Sequence, residues 1–139
     1  EQALPTQEHP GCSHCHGSAL FTENNFFNNG ISDVDGLEGF PDKGQGEVTG
    51  NIYDNGKFRA PTLRNVALTA PYMHDGRFAT LEEVLDSYAE GGHGVANEDP
   101  NIQPFSLSEE EKQAMIAFME MLTDTSFTNN PAFSNPFEE

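Results

Sequence analysis

The sequence predicts an all-α domain with long irregular loops, because two strong helix signals follow a long stretch without periodicity. The segment Thr80-Leu-Glu-Glu83 is a capping box, and apolar residues follow it at helical spacing until Gly91. Ser108-Glu-Glu-Glu111 is a second capping box, and we expect its helix to run to about Leu122. Residues 24–57 are instead rich in Gly, Asn and Asp, a composition typical of a long irregular loop.

The remaining segments carry weaker signals. We expect a first helix over residues 12–20 and a short one near 61–68, before an irregular turn at Pro71–Gly76. Residues 123–139 contain three phenylalanines among Asn, Pro and Ser without a helical period, so we expect an extended tail along a surface of this domain or of a partner. A chain of 139 residues fits one domain, which we place at residues 1–122, ahead of that tail.

The most informative motif is Cys12-Ser-His-Cys15-His16, a C-x-x-C-H sequence. Two cysteines three residues apart on one helical turn reach both vinyl groups of a haem as thioethers, and the adjacent histidine then faces the iron. The alternatives are a redox dithiol or half of a zinc site, and zinc would lack further cysteines because the chain has only two. We therefore predict one covalent haem c held by Cys12 and Cys15, with His16 as the proximal iron ligand.

The composition of the chain supports the haem motif. Only 35% of the residues are hydrophobic, so a core built from side chains alone would be small. A buried porphyrin supplies apolar surface, whose burial is worth roughly 25 cal/mol per Å². Haem attachment takes place outside the bacterial cytoplasm, which predicts an exported protein, periplasmic or extracellular. The chain begins at Glu1 with polar residues and without a signal peptide, as expected of a mature or clipped chain.

The formal net charge of −17 argues against several classes of partner. Six basic residues against 23 acidic ones argue against nucleic acid, whose phosphates need Lys and Arg, and against an anionic membrane surface. No run of about 18 apolar residues occurs, so we expect no membrane span. An acidic surface suits docking of a small redox protein with a basic face, and it equally suits plain solubility.

The sixth position on the iron decides the chemistry, since methionine favours electron transfer at high potential, histidine lowers the potential and an open site admits peroxide. Residue type alone leaves several candidates for this position: Met73, His74, Tyr88 and His93. Met115 and Met119 lie with Phe118 and Leu122 on the apolar stripe of the last helix, and we expect both methionines in the core rather than on the iron.

Arg59 and Arg64 are rare positive charges in this acidic chain. Buried charges need partners, and haem propionates are the obvious ones in a haem domain. We therefore predict that both residues line the cofactor site, with ordinary surface pairing as the alternative.

A resemblance to a known family rests on one run of residues, Lys57-Phe-Arg-Ala-Pro-Thr-Leu-Arg-Asn-Val-Ala-Leu-Thr-Ala-Pro-Tyr-Met-His-Asp-Gly76. This run resembles the C-terminal haem domain of bacterial di-haem cytochrome c peroxidases and of the related MauG proteins, and the likeness extends from the haem motif to the helix ending near Leu122. It implies a cytochrome c-like fold wrapped around the haem and a second haem domain, since family members carry two haems in two such domains. With one C-x-x-C-H motif, the sequence looks like the C-terminal half, with the N-terminal half absent or on another chain.

The resemblance also implies roles for particular residues. In the peroxidases a methionine lies fourteen residues after the histidine of a Pro-Tyr-x-His motif, and counting from His74 gives Tyr88. A tyrosine binds the iron at this position in MauG-type proteins, so Tyr88 is the favoured distal ligand and Met73 the alternative, although Tyr88 also suits a core position on its helix. His74 is expected near a haem propionate or the inter-haem interface, or in a structural role in its turn.

A calcium ion is a further implication of the resemblance. Family members hold it at the domain interface through backbone carbonyls, and the matching positions are Thr69 and Pro71. A third protein ligand comes from the other domain of those proteins.

Two functions stay open on the sequence. The resemblance implies an electron-transfer haem domain of a di-haem peroxidase- or MauG-like oxidoreductase, which relays electrons from a small redox protein donor to a peroxide-reactive haem. The alternative is a stand-alone monohaem c-type cytochrome, acting as an electron carrier or as a subunit of a redox assembly.

Peroxide cleavage needs a vacant iron site and a distal acid–base group, and a haem whose sixth position is occupied by Tyr88 offers no vacancy. The sequence therefore assigns no catalytic residue beyond the haem ligands, and it favours an enzyme only as part of such an oxidoreductase.

Overall fold

Short helices provide most of the regular structure in the computed structural model, which describes residues 11–135 and 137. The first ten residues of the predicted domain, and residues 136, 138 and 139 of the predicted tail, lie outside the described residues. The helices, in chain order, are α1 (Cys12–Cys15), α2 (Gln45–Thr49), α3 (Leu81–Glu90), α4 (Glu109–Met121) and α5 (Thr125–Thr128). Single 3₁₀ turns lie at Ile52–Asp54, Val66–Leu68 and Pro131–Phe133.

One small sheet departs from the all-α prediction. Strands β1 (Phe26–Phe27) and β2 (Phe58–Arg59) pair antiparallel, with Phe26 opposite Arg59. The sheet joins the start of the long loop to the segment before Ala60, whose amide donates to the carbonyl oxygen of Asn25 at 3.0 Å. The helical class is thus confirmed, and the correction is a two-residue ladder that is too short to give an alternating sequence pattern.

Both long helices begin at the capping boxes that the sequence predicts. The Glu83 amide donates to Thr80 Oγ1 at 3.2 Å, and the Thr80 amide donates back to the Glu83 carboxylate at 3.1 Å. Ser108 and Glu111 repeat this exchange at the start of α4. Helix α3 ends at Gly91, whose φ of +85° is readily adopted only by glycine. Within the described part of the chain, no helix combines the length and apolar character needed to cross a bilayer.

The apolar core lies between α3 and α4. Leu81 and Leu85 of α3 pack against Ile116 and Met119 of α4, and all four are at least 92% buried. Partly buried side chains surround this group: Val66, Tyr72, Leu107 and Met115. Met115 and Met119 therefore belong to the core, as predicted.

Phe118 corrects the predicted apolar stripe of α4. Its side chain is 47% exposed, and Ile116 occupies the buried position instead. The rings of Phe118 and Phe21 pack edge to face, with centroids 5.7 Å apart. This contact explains why a phenylalanine at that spacing need not enter the core.

Two predicted helices are shorter in the structure than their sequence signals suggest. The helix expected over residues 12–20 is the single turn of α1, because Ser18 adopts a left-handed φ of +63° soon after it. The helix expected near 61–68 is a 3₁₀ turn over its last three residues, since Asn65 has a φ of +61° directly before the turn. A left-handed residue interrupts the repeating dihedrals of an α-helix, and neither interruption falls on a glycine that would mark it in the sequence.

The predicted extended tail contains two short helical segments. Asp124 caps α5 by accepting the amide of Ser126 at 2.9 Å, and Asn130 accepts the amide of Ala132 at 3.0 Å before the last 3₁₀ turn. The rings of Phe127 and Phe133 lie 5.0 Å apart between these turns. Such short capped turns leave too few residues to show a helical period in the sequence, and the assignment of residues 123–139 to a tail stays a prediction.

A buried asparagine ties the long loop to the segment after α3. Asn28 is 3% exposed; its Nδ2 donates to Asn97 Oδ1 at 2.8 Å, and its Oδ1 accepts the amide of Gly30 at 3.0 Å. The amide of Asp99 donates to the Asn28 carbonyl oxygen at 2.9 Å, and Asn97 in turn donates to the carbonyl oxygen of Asn55 at 2.6 Å. These bonds fix the backbone on both sides of residue 29.

We expect Asn28→Ala to destabilise the haem-loaded chain by about 1–3 kcal/mol, because the buried Gly30 amide and the Asn97 side chain lose their partner. Denaturant unfolding followed by circular dichroism measures this change. Asn25→Ala is the matched control, since the Asn25 side chain is exposed in the same loop. Equal unfolding free energies for the two variants would contradict the role of Asn28 in linking the long loop to the segment after α3.

Candidate haem site

The motif cysteines lie on α1, where the amide of His16 donates to the carbonyl oxygen of Cys12 at 2.9 Å. The two cysteines form no disulfide within the described part of the chain. Partial burial, with help from Asp99 and the neighbouring thiol, raises the pKa of Cys15 to about 11. A raised pKa disfavours the thiolate, which is the form in which the cysteines of a redox dithiol react. Among the described residues, moreover, no three His, Cys, Asp or Glu side chains gather where they could bind a metal ion.

The imidazole of His16 is oriented by two backbone carbonyls. Its Nδ1 lies 3.3 Å from the carbonyl oxygen of Phe21 and 3.2 Å from that of Pro61. A carbonyl oxygen only accepts, so Nδ1 carries the proton and Nε2 keeps a free lone pair. Burial lowers the pKa of His16, which favours the neutral ring. A neutral histidine with an anchored N–H and a free nitrogen is the usual arrangement of a metal ligand.

The two candidate distal ligands meet at Asn29. The Asn29 Nδ2 lies 3.4 Å from the Tyr88 hydroxyl oxygen and 3.5 Å from the Met73 sulfur. Two atoms that both contact a third atom are close to each other, so the structure brings Tyr88 and Met73 to one place. Met73 reaches it with a φ of +71°, a left-handed conformation that non-glycine residues rarely adopt and that often marks functional sites.

The electrostatics of Tyr88 connect it to the haem motif. Burial raises the pKa of its phenol, the hydrogen bond from Asn29 opposes this rise, and the two motif cysteines add to it. With the pKa raised, phenolate is stable only beside a cation, and a haem iron is such a cation. Two cysteines that can form thioethers, an imidazole with a free nitrogen and a buried phenol are a donor set that fits a haem c.

The two other histidines considered for the sixth position are less well placed. His74 is exposed, and its ring stacks on Phe58 with centroids 3.8 Å apart and planes 10° apart. His93 is also exposed, and it is held through its backbone amide, which donates to the carbonyl oxygen of Gly30 at 3.1 Å. A role for His74 at a propionate or an inter-haem interface stays a prediction.

Both predicted propionate partners donate to neutral acceptors. Arg59 donates to the Asn24 side-chain oxygen at 2.8 Å, and Arg64 donates to the carbonyl oxygen of Ala19 at 2.7 Å. The Arg64 guanidinium also lies 5.7 Å from the centre of the Phe21 ring. All three contacts are to the segment that follows the haem motif. A guanidinium has five N–H groups, so both side chains keep donors for a propionate, and this role stays a prediction.

Two residues of the site region were not singled out by the sequence. Asn29 lies in a loop without any motif, so no pattern marks it. Arg77 donates to the carbonyl oxygen of Ile31 and, at 2.8 and 2.6 Å, to the Asp75 carboxylate, and these bonds lower the pKa of Asp75. Arg77 thus links the turn that carries Met73 to the long loop. Arg77 is one of only six basic residues in the sequence, and this rarity was the signal that could have singled it out.

The positions matched to a calcium site lie on the turn before Met73. Thr69 and Pro71 are both exposed there. Their carbonyl oxygens as calcium ligands at a domain interface stay a prediction.

Comparisons with known proteins identify the family. The fold matches that of a MauG-like protein associated with microbial copper homeostasis, with a TM-score of 0.84 and 42% identity over 94% of this chain. Cytochrome-c peroxidase IdrP1 of Pseudomonas sp. is 35% identical over 138 residues, and methylamine utilization protein MauG of Methylorubrum extorquens is 37% identical over 117. Each covers 81% of this chain. The chain belongs to the di-haem cytochrome c peroxidase/MauG family.

Membership of this family supports a haem c in the site and a haem-based redox role. The chain spans 36% of the length of the IdrP1 peroxidase, 31% of MauG and 48% of the MauG-like structure. It therefore corresponds to one part of a cytochrome c peroxidase/MauG protein. No protein-family model matches the chain.

Proposed function

We propose that this chain is the electron-transfer haem domain of a di-haem peroxidase- or MauG-like oxidoreductase. It relays electrons between a small redox protein donor and a peroxide-reactive haem on a second haem domain or chain. The observation that supports the proposal is the meeting of Tyr88 and Met73 at the Asn29 amide, which brings the two candidate distal ligands together.

In the proposed site each residue has a distinct role. Cys12 and Cys15 would hold the haem as thioethers, and His16 through Nε2 and Tyr88 through its hydroxyl oxygen would be the protein ligands of the iron. A bound haem c supplies reversible one-electron chemistry at a potential set by these ligands. The carbonyl oxygens of Phe21 and Pro61 keep the His16 ring in the tautomer that this role requires.

The surroundings of Tyr88 favour relay over peroxide cleavage. Cleavage of peroxide needs a general acid or base beside an open iron position. The side chain that bonds the Tyr88 oxygen is the Asn29 amide, which does not take up or release a proton near neutral pH. The peroxide-reactive centre in this proposal therefore lies on the second haem domain.

The charge of the chain fits a basic redox partner. A net charge of −17 gives an acidic surface that attracts a cationic donor over long distances and speeds its docking. Haem attachment through C-x-x-C-H supports an exported protein, periplasmic or extracellular, as a further part of the proposal. A calcium ion at the interface with the second domain, near Thr69 and Pro71, belongs to the same proposal.

We expect the ferric haem-loaded chain to be low-spin by absorption and electron paramagnetic resonance, without a His–Met charge-transfer band. Because Tyr88 occupies the distal position, the spectrum should not change when hydrogen peroxide is added. The measurement is a ferric spectrum followed by a peroxide titration. A His–Met band would favour Met73 and the alternative function, a stand-alone monohaem electron carrier or redox subunit. A high-spin spectrum that reacts at once with peroxide would refute the relay.

A further inference from the structure

Asn29 is the residue whose side chain lies between the two candidate ligands, and its amide must be the group that faces them. A thioether sulfur only accepts hydrogen bonds, so the atom 3.5 Å from the Met73 sulfur is the nitrogen Nδ2 and not the oxygen. The same nitrogen carries a second hydrogen, which serves the Tyr88 oxygen at 3.4 Å. One amide thus donates to both side chains.

The backbone around Asn29 is held firmly enough to aim this amide. On one side, the buried Asn28 accepts the Asp99 amide through its carbonyl oxygen and donates to Asn97 through its side chain. On the other side, the Gly30 amide donates to Asn28 Oδ1, and the Gly30 carbonyl oxygen accepts the amide of His93. Asn29 itself is partly buried between these anchored neighbours.

We propose that Asn29 is the positioning residue of the distal side, which holds the Tyr88 oxygen in place and tunes the reduction potential of the haem. The inference rests on the proposed function, in which Tyr88 is the distal ligand. A donor that bonds a ligand oxygen withdraws electron density from it, so the oxygen stabilises the ferric iron less. The Asn29 bond therefore raises the reduction potential above the value that an unbonded tyrosine ligand would give.

Asn29→Asp and Asn29→Ala test this inference in the haem-loaded chain. Both substitutions remove the donor, and Asp keeps the shape of Asn while adding a negative charge. We expect the reduction potential to fall in both variants, and further in Asn29→Asp, with a shift of the tyrosine-to-iron charge-transfer band in the ferric spectrum. Asn29→Gln retains an amide and should recover part of the shift. Asn25→Asp is the matched control, because it adds the same charge at an exposed position of the same loop.

A second background separates this inference from the proposed function. If Asn29 acts through the Tyr88 oxygen, Asn29→Ala should have no further effect on the potential in a Tyr88→Phe, Met73→Leu background, which also removes the sulfur that the same amide contacts. An equal shift in both backgrounds, or an unchanged potential and band in both Asn29→Ala and Asn29→Asp, would overturn the positioning role while Tyr88 ligation stands. A ferric spectrum that Tyr88→Phe leaves unchanged would instead remove Tyr88 as ligand, and with it both the ligation in the proposed function and this inference.

Discussion

Replacing both Cys12 and Cys15 with serine is expected to abolish covalent haem attachment. Each cysteine supplies one thioether, and serine cannot form this bond, so single variants should keep one link and the double variant none. Haem staining after denaturing electrophoresis, together with a pyridine haemochrome spectrum, measures the covalently bound haem.

The loss of haem should also destabilise the fold. Beyond the four residues between α3 and α4, the described chain buries few apolar side chains: Ile31, Phe40 and Ala60. A porphyrin adds a large apolar surface to this limited core.

Ser13→Ala is the matched control for the cysteine variants, since Ser13 lies exposed between the two cysteines and should leave haem attachment intact. Full covalent haem in the double variant would refute the assignment of the motif.

Tyr88→Phe is expected to open the distal position of the haem. Phenylalanine keeps the ring on α3 and removes only the oxygen, so the helix and its core contacts should persist. The ferric spectrum should change from low-spin towards high-spin, and addition of hydrogen peroxide should now alter the spectrum, because peroxide can bind the open position. Ferric absorption and electron paramagnetic resonance, before and after addition of peroxide, measure both effects.

Two further variants sharpen the assignment of the distal ligand. Tyr53→Phe removes a hydroxyl group from a tyrosine that is 64% exposed and should change nothing. Combining Tyr88→Phe with Met73→Leu tests whether the Met73 sulfur replaces the missing oxygen, since both lie at the Asn29 amide. A His–Met charge-transfer band in Tyr88→Phe that the double variant lacks would show such a replacement. A Tyr88→Phe spectrum identical to that of the unmodified chain would rule out Tyr88 ligation.

The sequence predicted those parts of the structure that depend on local chemistry. The capping boxes at Thr80 and Ser108 fix where the long helices begin, because the cap and the third residue of the helix exchange hydrogen bonds within one turn. The C-x-x-C-H motif is equally local, and α1 places its cysteines on one helical turn. Family membership, which was read from the run Lys57–Gly76, is confirmed by the comparisons.

What the sequence did not predict depends on contacts between distant segments. Asn29 meets Met73 and Tyr88 across 44 and 59 residues of chain, and no local pattern encodes such a meeting. The left-handed backbone at Ser18 and Asn65 ended or prevented predicted helices without a glycine to mark the change. These conformations are stabilised by the tertiary structure, which outweighs local propensity.

Helix α3 contributes to two environments at once. Leu85 packs in the core against α4, while Tyr88, three residues later, faces the Asn29 amide one turn further along. A helix of ten residues moves as a nearly rigid unit, so any repacking that turns or shifts α3 displaces the Tyr88 oxygen as well. The folding stability of the domain and the electronic state of its haem are therefore thermodynamically linked through one short helix. A substitution in the core can change the haem ligation without contacting the haem site.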